Sequence, residues 1–200
     1  SHPTENGTIY SKSELQELYA TCKELDLPLF MDGARMGYGL MSEKSDMTLA
    51  DIAANTDVFY IGGTKVGALF GEAVVITKSA LKKDFRYCMK QSGAMLAKGR
   101  LLGIQFDTLF TDDLYFKIAA HADRLAMKLK NAFIEKGYKM YFDSYTNQQY
   151  PILSKKDREK LAQKYQFSFW KQIDEDYAAV RFCTSWATSE EAIDELIQDI

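Results

Sequence analysis

Two turns in this sequence hold residue types from which amine chemistry can be built. Residues 29–31 form an apolar run that closes on Asp32-Gly33-Ala34-Arg35, a carboxylate, a glycine and then a guanidinium. Residues 58–61 form a second run, closing on Gly62-Gly63-Thr64-Lys65-Val66-Gly67-Ala68, where one lysine stands among glycines and small residues. Ligands on open α/β sheets gather outside the carboxyl ends of the strands, which is where both turns would lie. A lysine amine becomes a nucleophile when a dry site lowers its pKa, and it then forms a Schiff base with an aldehyde. Flanking glycines let the backbone approach a flat ring. An aspartate on the neighbouring strand can pair with a pyridinium nitrogen, the condition under which pyridoxal 5'-phosphate is an effective electron sink. Asp32 and Lys65 are the pair this cofactor demands. Each is weak alone, because an aspartate after an apolar run is more often a turn or cap, and a glycine-flanked lysine is usually a solvated loop residue. The stretch is not a P-loop, since GxxxxGK[ST] is absent. Arg181 interrupts the apolar residues 178–183. It is either a buried guanidinium that needs an anionic partner or an edge-strand arginine facing water.

The elements that must position these residues alternate. Ser11-Lys-Ser-Glu14 is a capping-box pattern, and Leu15, Leu18, Tyr19, Cys22 and Leu25 recur at helical spacing up to Pro28. Residues 29–31, 58–61 and 73–76 read as short strands covered on both faces, with a helical turn at 51–55. From 79 to about 136 the pattern is helical, with Asp112-Asp113 offering an N-cap and Gly137 a stop. Residues 138–142, 149–153, 166–170 and 178–183 are strand-like, and a charged helix covers 155–164. Thr188-Ser-Glu-Glu191 is a last capping box, opening a helix with Ile193, Leu196, Ile197 and Ile200. The chain therefore reads as α/β: part of a large-domain sheet over residues 1–120, then a small α+β domain over 121–200.

Composition narrows the classes. The chain has 200 residues, 46% hydrophobic and 26% charged, with 25 Lys+Arg against 28 Asp+Glu and a net charge of -3. That balance argues against a nucleic-acid partner, which would need a basic face. No apolar run approaches the roughly 20 residues of a membrane span, and the first residues are not a signal peptide. Three scattered cysteines and two histidines draw no metal site, and free thiols suit a reducing, cytoplasmic setting. His2 precedes any expected element, and His121 reads as a structural histidine on a helix.

Met31-Asp32-Gly33-Ala34-Arg35, Thr64-Lys65, Gly71-Glu72-Ala73 and Arg181-Phe-Cys-Thr-Ser-Trp-Ala-Thr188 together resemble the threonine aldolase and beta-eliminating lyase family of fold type I pyridoxal phosphate enzymes. The resemblance runs over essentially the whole chain. It implies an aspartate-aminotransferase-like fold and Lys65 as the catalytic Schiff-base lysine, with Thr64 beside it in the cofactor site. Asp32 would be the partner of the ring nitrogen, Arg35 would lie beside the phenolic oxygen, and Arg181 would grip the substrate carboxylate. The implied activity is cleavage of the Cα–Cβ bond of a β-hydroxy-α-amino acid, L-threonine or L-allo-threonine, to glycine and acetaldehyde. β-Elimination and transamination share the fold and the lysine, and a non-catalytic dimerisation or binding domain is the alternative of another class. The family also has a Gly-rich phosphate turn and a ring-stacking aromatic or histidine, neither matched here. The chain is thus expected to be the C-terminal part of a longer enzyme, with an incomplete sheet, exposed apolar surface and no activity alone. A homodimer or homotetramer follows from the resemblance. Lys90, Lys98 and Arg100 would lie near the phosphate or a dimer contact, or on a solvated helix face.

Overall fold

The computed structural model describes all 200 residues. The capping box is formed as expected: Ser11 Oγ accepts the Glu14 N–H at 3.2 Å and Glu14 accepts the Ser11 N–H at 2.8 Å. Such a cap is worth about 1 kcal/mol and starts α1 (Lys12–Glu24). A three-stranded sheet follows, of β1 (Phe30–Met31), β2 (Val58–Gly62) and β3 (Glu72–Ile76) in that order. β1 runs parallel to β2, with Met31 opposite Phe59, and β3 is antiparallel to β2. Between β1 and β2 lie α2 (Met36–Met41) and α3 (Leu49–Ala54). The spacing of residues gave no sign of α2. The strands are not covered on both faces, since Phe30 is 57% and Val74 52% exposed. This matches the expected apolar surface.

The long helical stretch is broken into α4 (Phe85–Gln91), α5 (Arg100–Phe110) and α6 (Leu114–Glu135). Asp84, Asp112 and Asp113 take left-handed backbone at the breaks. Asp113 therefore stands at the cap position of α6 without capping it, because a capping side chain needs extended backbone there. α6 serves two cores. Tyr115, Ala119 and Ala122 pack with Met31, Met36, Ile52 and Phe59, whereas Leu125, Leu129 and Phe133 pack with Leu153, Val180, Phe182 and Ile193.

The second core lies over a sheet of β4 (Gln148–Gln149), β5 (Ile152–Ser154), β6 (Ser168–Gln172) and β7 (Tyr177–Cys183). Its helices are α7 (Lys155–Leu161) and α8 (Glu190–Asp199). β7 pairs antiparallel with each of the other three strands. The strand expected at 149–153 is split at Pro151, which has no N–H for the ladder. Residues 138–142 form no strand, only a bridge from Met140 to Pro151. Tyr141 and Phe142 pack edge-on instead, Phe142 against Tyr150 and Trp170. The last helix is capped by Ser189, which accepts the Ala192 N–H at 3.2 Å, while Thr188 Oγ1 accepts the Ser185 N–H at 2.9 Å. The expected cap was one residue early.

Two buried carboxyls set opposite pH responses. Asp57 takes Lys23 Nζ at 2.6 and 2.8 Å and the Leu29 N–H at 2.7 Å, joining α1 to the strands. Burial pushes its carboxyl up, but Lys23 and the Leu29 N–H outweigh that and hold it below the usual range. Asp123, on α6, is 4% exposed, and neither of its oxygens has a hydrogen-bond partner. Burial pushes this carboxyl up to about 9, against the pull of the nearby Asn147 N–H.

Asp57 is ionised in the fold at a lower pH than in the unfolded chain. Its contribution is therefore present above about pH 4 and lost as pH falls through the folded value. Asp57→Ala is expected to cost about 2 kcal/mol at pH 7, from the lost Lys23 pair and the stranded Leu29 N–H, and less near pH 3, where the charge-dependent part has weakened. Denaturant titrations at the two pH values check this. Asp123 has the reverse sign: the fold holds its proton, so that contribution is full below about pH 4 and disappears as pH rises to about 9. Asp123→Asn, which stays neutral, is expected to raise Tm at pH 8 and to change it little at pH 4. An equal shift at both would contradict the assignment.

Candidate active site

Because β1 and β2 are parallel and in register, their carboxyl ends deliver Asp32 and the Gly62–Lys65 turn to the same edge of the sheet. The two turns touch through backbone. Gly62 N–H donates to the Gly33 carbonyl at 2.9 Å. A Cβ on Gly33 would stand 1.9 Å from the Tyr60 carbonyl oxygen, and one on Gly62 would stand 2.4 Å from that of Ala34. Both positions require glycine because only glycine lets the backbones come this close.

Asp32 is half-buried and accepts the Ala34 N–H at 3.0 Å. Burial pushes its carboxyl up, yet the Tyr60 hydroxyl, the Ala34 N–H and the Lys65 charge together hold it below the usual range. It is a carboxylate at neutral pH. Lys65 is exposed at the mouth of the site, and its ammonium is pulled below the usual lysine range by partial burial and then by the Arg35 charge. Asp32 and Glu72 oppose this, and Arg181 adds to it. These five side chains therefore share one electrostatic neighbourhood, although Arg181 lies in the second sheet.

The lysine turn is held from behind. Val66 and Ala68 N–H groups donate to the Gly63 carbonyl at 2.9 and 3.0 Å, and Glu72 accepts the Gly63 N–H at 2.6 Å. Tyr38, buried on α2, donates its hydroxyl to the Lys65 carbonyl, and Tyr115, buried on α6, donates to the Gly62 carbonyl at 2.9 Å. The lysine backbone is thus fixed by two tyrosines while its amine stays free.

Arg35 is half-buried, and its charge also acts on Tyr38, Tyr150 and Cys183. Thr64 is exposed and makes no hydrogen bond. Arg181 does not sit on an edge strand facing water, because β7 is paired on both sides. It donates through Nη1 to Gln148 Oε1 at 3.3 Å and lies over the Trp170 ring, 5.7 Å from its centroid. Lys90, Lys98 and Arg100 are exposed.

Reading the residues missed several groups. His2 is fully buried, and its N–H donates to the Asp32 carbonyl at 2.9 Å. Burial lowers its imidazole to about 4. Nothing in Ser1-His2-Pro3 announces this, because the contact is made at long range. Tyr38, Tyr115 and Gln148 were missed for the same reason. Glu72, within Gly71-Glu72-Ala73, holds the lysine turn by accepting the Gly63 N–H, a role its place in the sequence does not reveal. His121 is structural: its Nε2 lies 2.8 Å from the Thr188 carbonyl oxygen, tying α6 to the turn before α8.

Such a site offers an amine of raised nucleophilicity, a fixed carboxylate and two guanidiniums able to hold anions. The beta-eliminating lyase family profile matches residues 2–166. A low specificity L-threonine aldolase of Pseudomonas aeruginosa is 35% identical over 198 residues, which are 98% of this chain and 56% of that protein. A threonine aldolase of Leishmania major superposes with a TM-score of 0.96 at 43% identity, covering 98% of this chain and 58% of that one. A lysine aminotransferase of Mycobacterium tuberculosis, 14% identical with a TM-score of 0.54, covers 96% of this chain and 44% of its own, and shares the fold alone. The chain thus spans little more than half the length of the threonine aldolases it matches. The aminotransferase-like α/β fold, the paired turns at the sheet edge and the match over residues 2–166 agree, and the chain belongs to the beta-eliminating lyase family.

Proposed function

We propose that this chain holds the lysine, the carboxylate and the guanidiniums of a pyridoxal 5'-phosphate site in a lyase that cleaves β-hydroxy-α-amino acids, L-threonine or L-allo-threonine, to glycine and acetaldehyde. The observation that carries the reading is one juxtaposition. An ionised Asp32 and a Lys65 of lowered pKa, each acting on the other's charge, stand at the ends of parallel β1 and β2. The residues fit the cofactor, because a flat cationic ring needs a fixed carboxylate on one side and a free amine on the other. Glycines at 62 and 63 keep the backbone between them low.

When bound, pyridoxal phosphate supplies the electron sink for bonds broken at the substrate Cα. The protein supplies the rest. Lys65 would hold the cofactor through Nζ, its amine being the group of this site able to bond an aldehyde and to give or take a proton beside the substrate Cα. Asp32 keeps the proton on the ring nitrogen. Arg35 would offer its guanidinium to the cofactor's phenolic oxygen, with Thr64 next to the lysine. Arg181 would hold the substrate carboxylate and so fix how the substrate is turned in the site, which selects the bond that breaks. The same reading divides the chain into a cofactor-binding part, 1–120, and a small domain, 121–200, supported by the change of core along α6. It also takes the protein as an assembly of two or four copies, supported by exposed Leu69, Tyr87 and Ile104 at 85%, 77% and 55%. A cytoplasmic setting is supported by three free cysteines. No helix is long and apolar enough to cross a membrane.

Incubating the cofactor-loaded full-length protein with L-threonine, L-allo-threonine, L-serine, L-tyrosine and L-cysteine tests the reaction. Glycine and acetaldehyde are expected from the first two. Ammonia with pyruvate would assign β-elimination instead, and no product from any would remove the reading. Lys65→Ala is expected to lower kcat at least about 10²-fold, the range for losing a group that moves protons in the reaction. Asp32→Asn, which keeps the shape but not the charge, is expected to lower kcat while leaving Tm within about 2 °C. Unchanged turnover would deny Asp32 its role.

A further inference from the structure

Gln148, on β4, has no exposed surface, yet both ends of its amide are engaged. Oε1 accepts from Arg181 Nη1 at 3.3 Å, and Nε2 donates to the Glu5 carbonyl at 2.9 Å. Tyr150 donates to that same carbonyl at 2.6 Å, so the amide is oriented from the N-terminal segment. The guanidinium is further confined by the Trp170 ring, 5.7 Å away. No acidic side chain pairs with Arg181, and its Nε is buried without a partner. A guanidinium held by neutral groups, with no carboxylate beside it, keeps its whole charge and spare donors for an incoming anion. A glutamate at the same place would meet the same geometry and cancel that charge.

We propose that Gln148 is a positioning residue that orients Arg181 and, by being neutral, keeps its charge available, which makes the site select amino acids by their α-carboxylate. This rests on the reading of Arg181 as the carboxylate-holding residue. A neutral isostere of the substrate, in which the carboxylate becomes an amide, isolates the effect. A mere packing role for Gln148 would weaken carboxylate and amide ligands alike.

The test is the ratio of dissociation constants for glycinamide and glycine, read from the change each causes in the cofactor absorbance of the loaded protein. Wild type is expected to favour glycine. Gln148→Glu is expected to lower that preference about tenfold or more, through glycine alone, and to raise KM for threonine more than it lowers kcat. Gln148→Met, neutral and similar in length, is expected to give a smaller loss of the same kind and decides the matter if the glutamate variant does not fold. Preference unchanged in Gln148→Met, or equal weakening of both ligands, would overturn the proposal. Arg181→Lys separates the two levels. If it lowers the preference while the Gln148 variants do not, only the role of Gln148 fails; if it too leaves the preference intact, the carboxylate reading of Arg181 fails.

Discussion

The Gly33 carbonyl accepts the Gly62 N–H at 2.9 Å, and the two turns around it are too close for a side chain at either glycine. Everything at the sheet edge depends on that contact. Parallel pairing of β1 and β2 sends both turns the same way, and the shared hydrogen bond sets their separation. Asp32 precedes one glycine directly, and Lys65 follows the other by three residues. Their relation is therefore a property of backbone geometry, not of two flexible side chains meeting by chance. Glycine loses more freedom on folding than any other residue, and the site accepts that cost to hold the pair.

Electrostatics act on this frame in the same direction at the two key groups, lowering the proton affinity of each. Partial burial and the Arg35 charge pull Lys65 below the usual lysine range, while Tyr60, Ala34 N–H and Lys65 keep Asp32 ionised. Neither effect needs the other to be large, because charges close together outside bulk water interact strongly. The second sheet contributes Arg181 from β7 across α6, whose two halves lie in two different cores. α6 is the rigid link through which the guanidinium and the lysine keep their distance, and Tyr115 on its first turn grips the lysine turn directly.

Much of this was legible from residue order. The three strands of the first sheet, the capping box at Ser11 and the two reactive turns are local patterns: apolar runs that stop at a charged residue and a glycine. Their chemistry could be read because a lysine among glycines and an aspartate on the next strand have few joint uses. What could not be read was long-range. Tyr38, Tyr115 and Gln148 are ordinary residues in sequence and matter only for which carbonyl or guanidinium they reach. His2 looked like a loose terminus and is buried beside Asp32. The failed strand at 138–142 had the right residue types, but Phe142 packs on Tyr150 and Trp170 and only Met140 makes a bridge. The cap at Ser189 was misplaced by one residue because Thr188 and Ser189 offer the same hydroxyl, and only the turn at Ser185 decides between them.

The central claim is that Lys65 is the residue that binds the cofactor covalently. Mixing the protein with pyridoxal 5'-phosphate, recording the absorption spectrum, reducing with borohydride and mapping the modified peptide tests it directly. The account predicts a new band near the edge of the visible range, a single reduced adduct on Lys65, and loss of both in Lys65→Ala. An adduct spread over surface lysines, or a band that survives in Lys65→Ala, would contradict it.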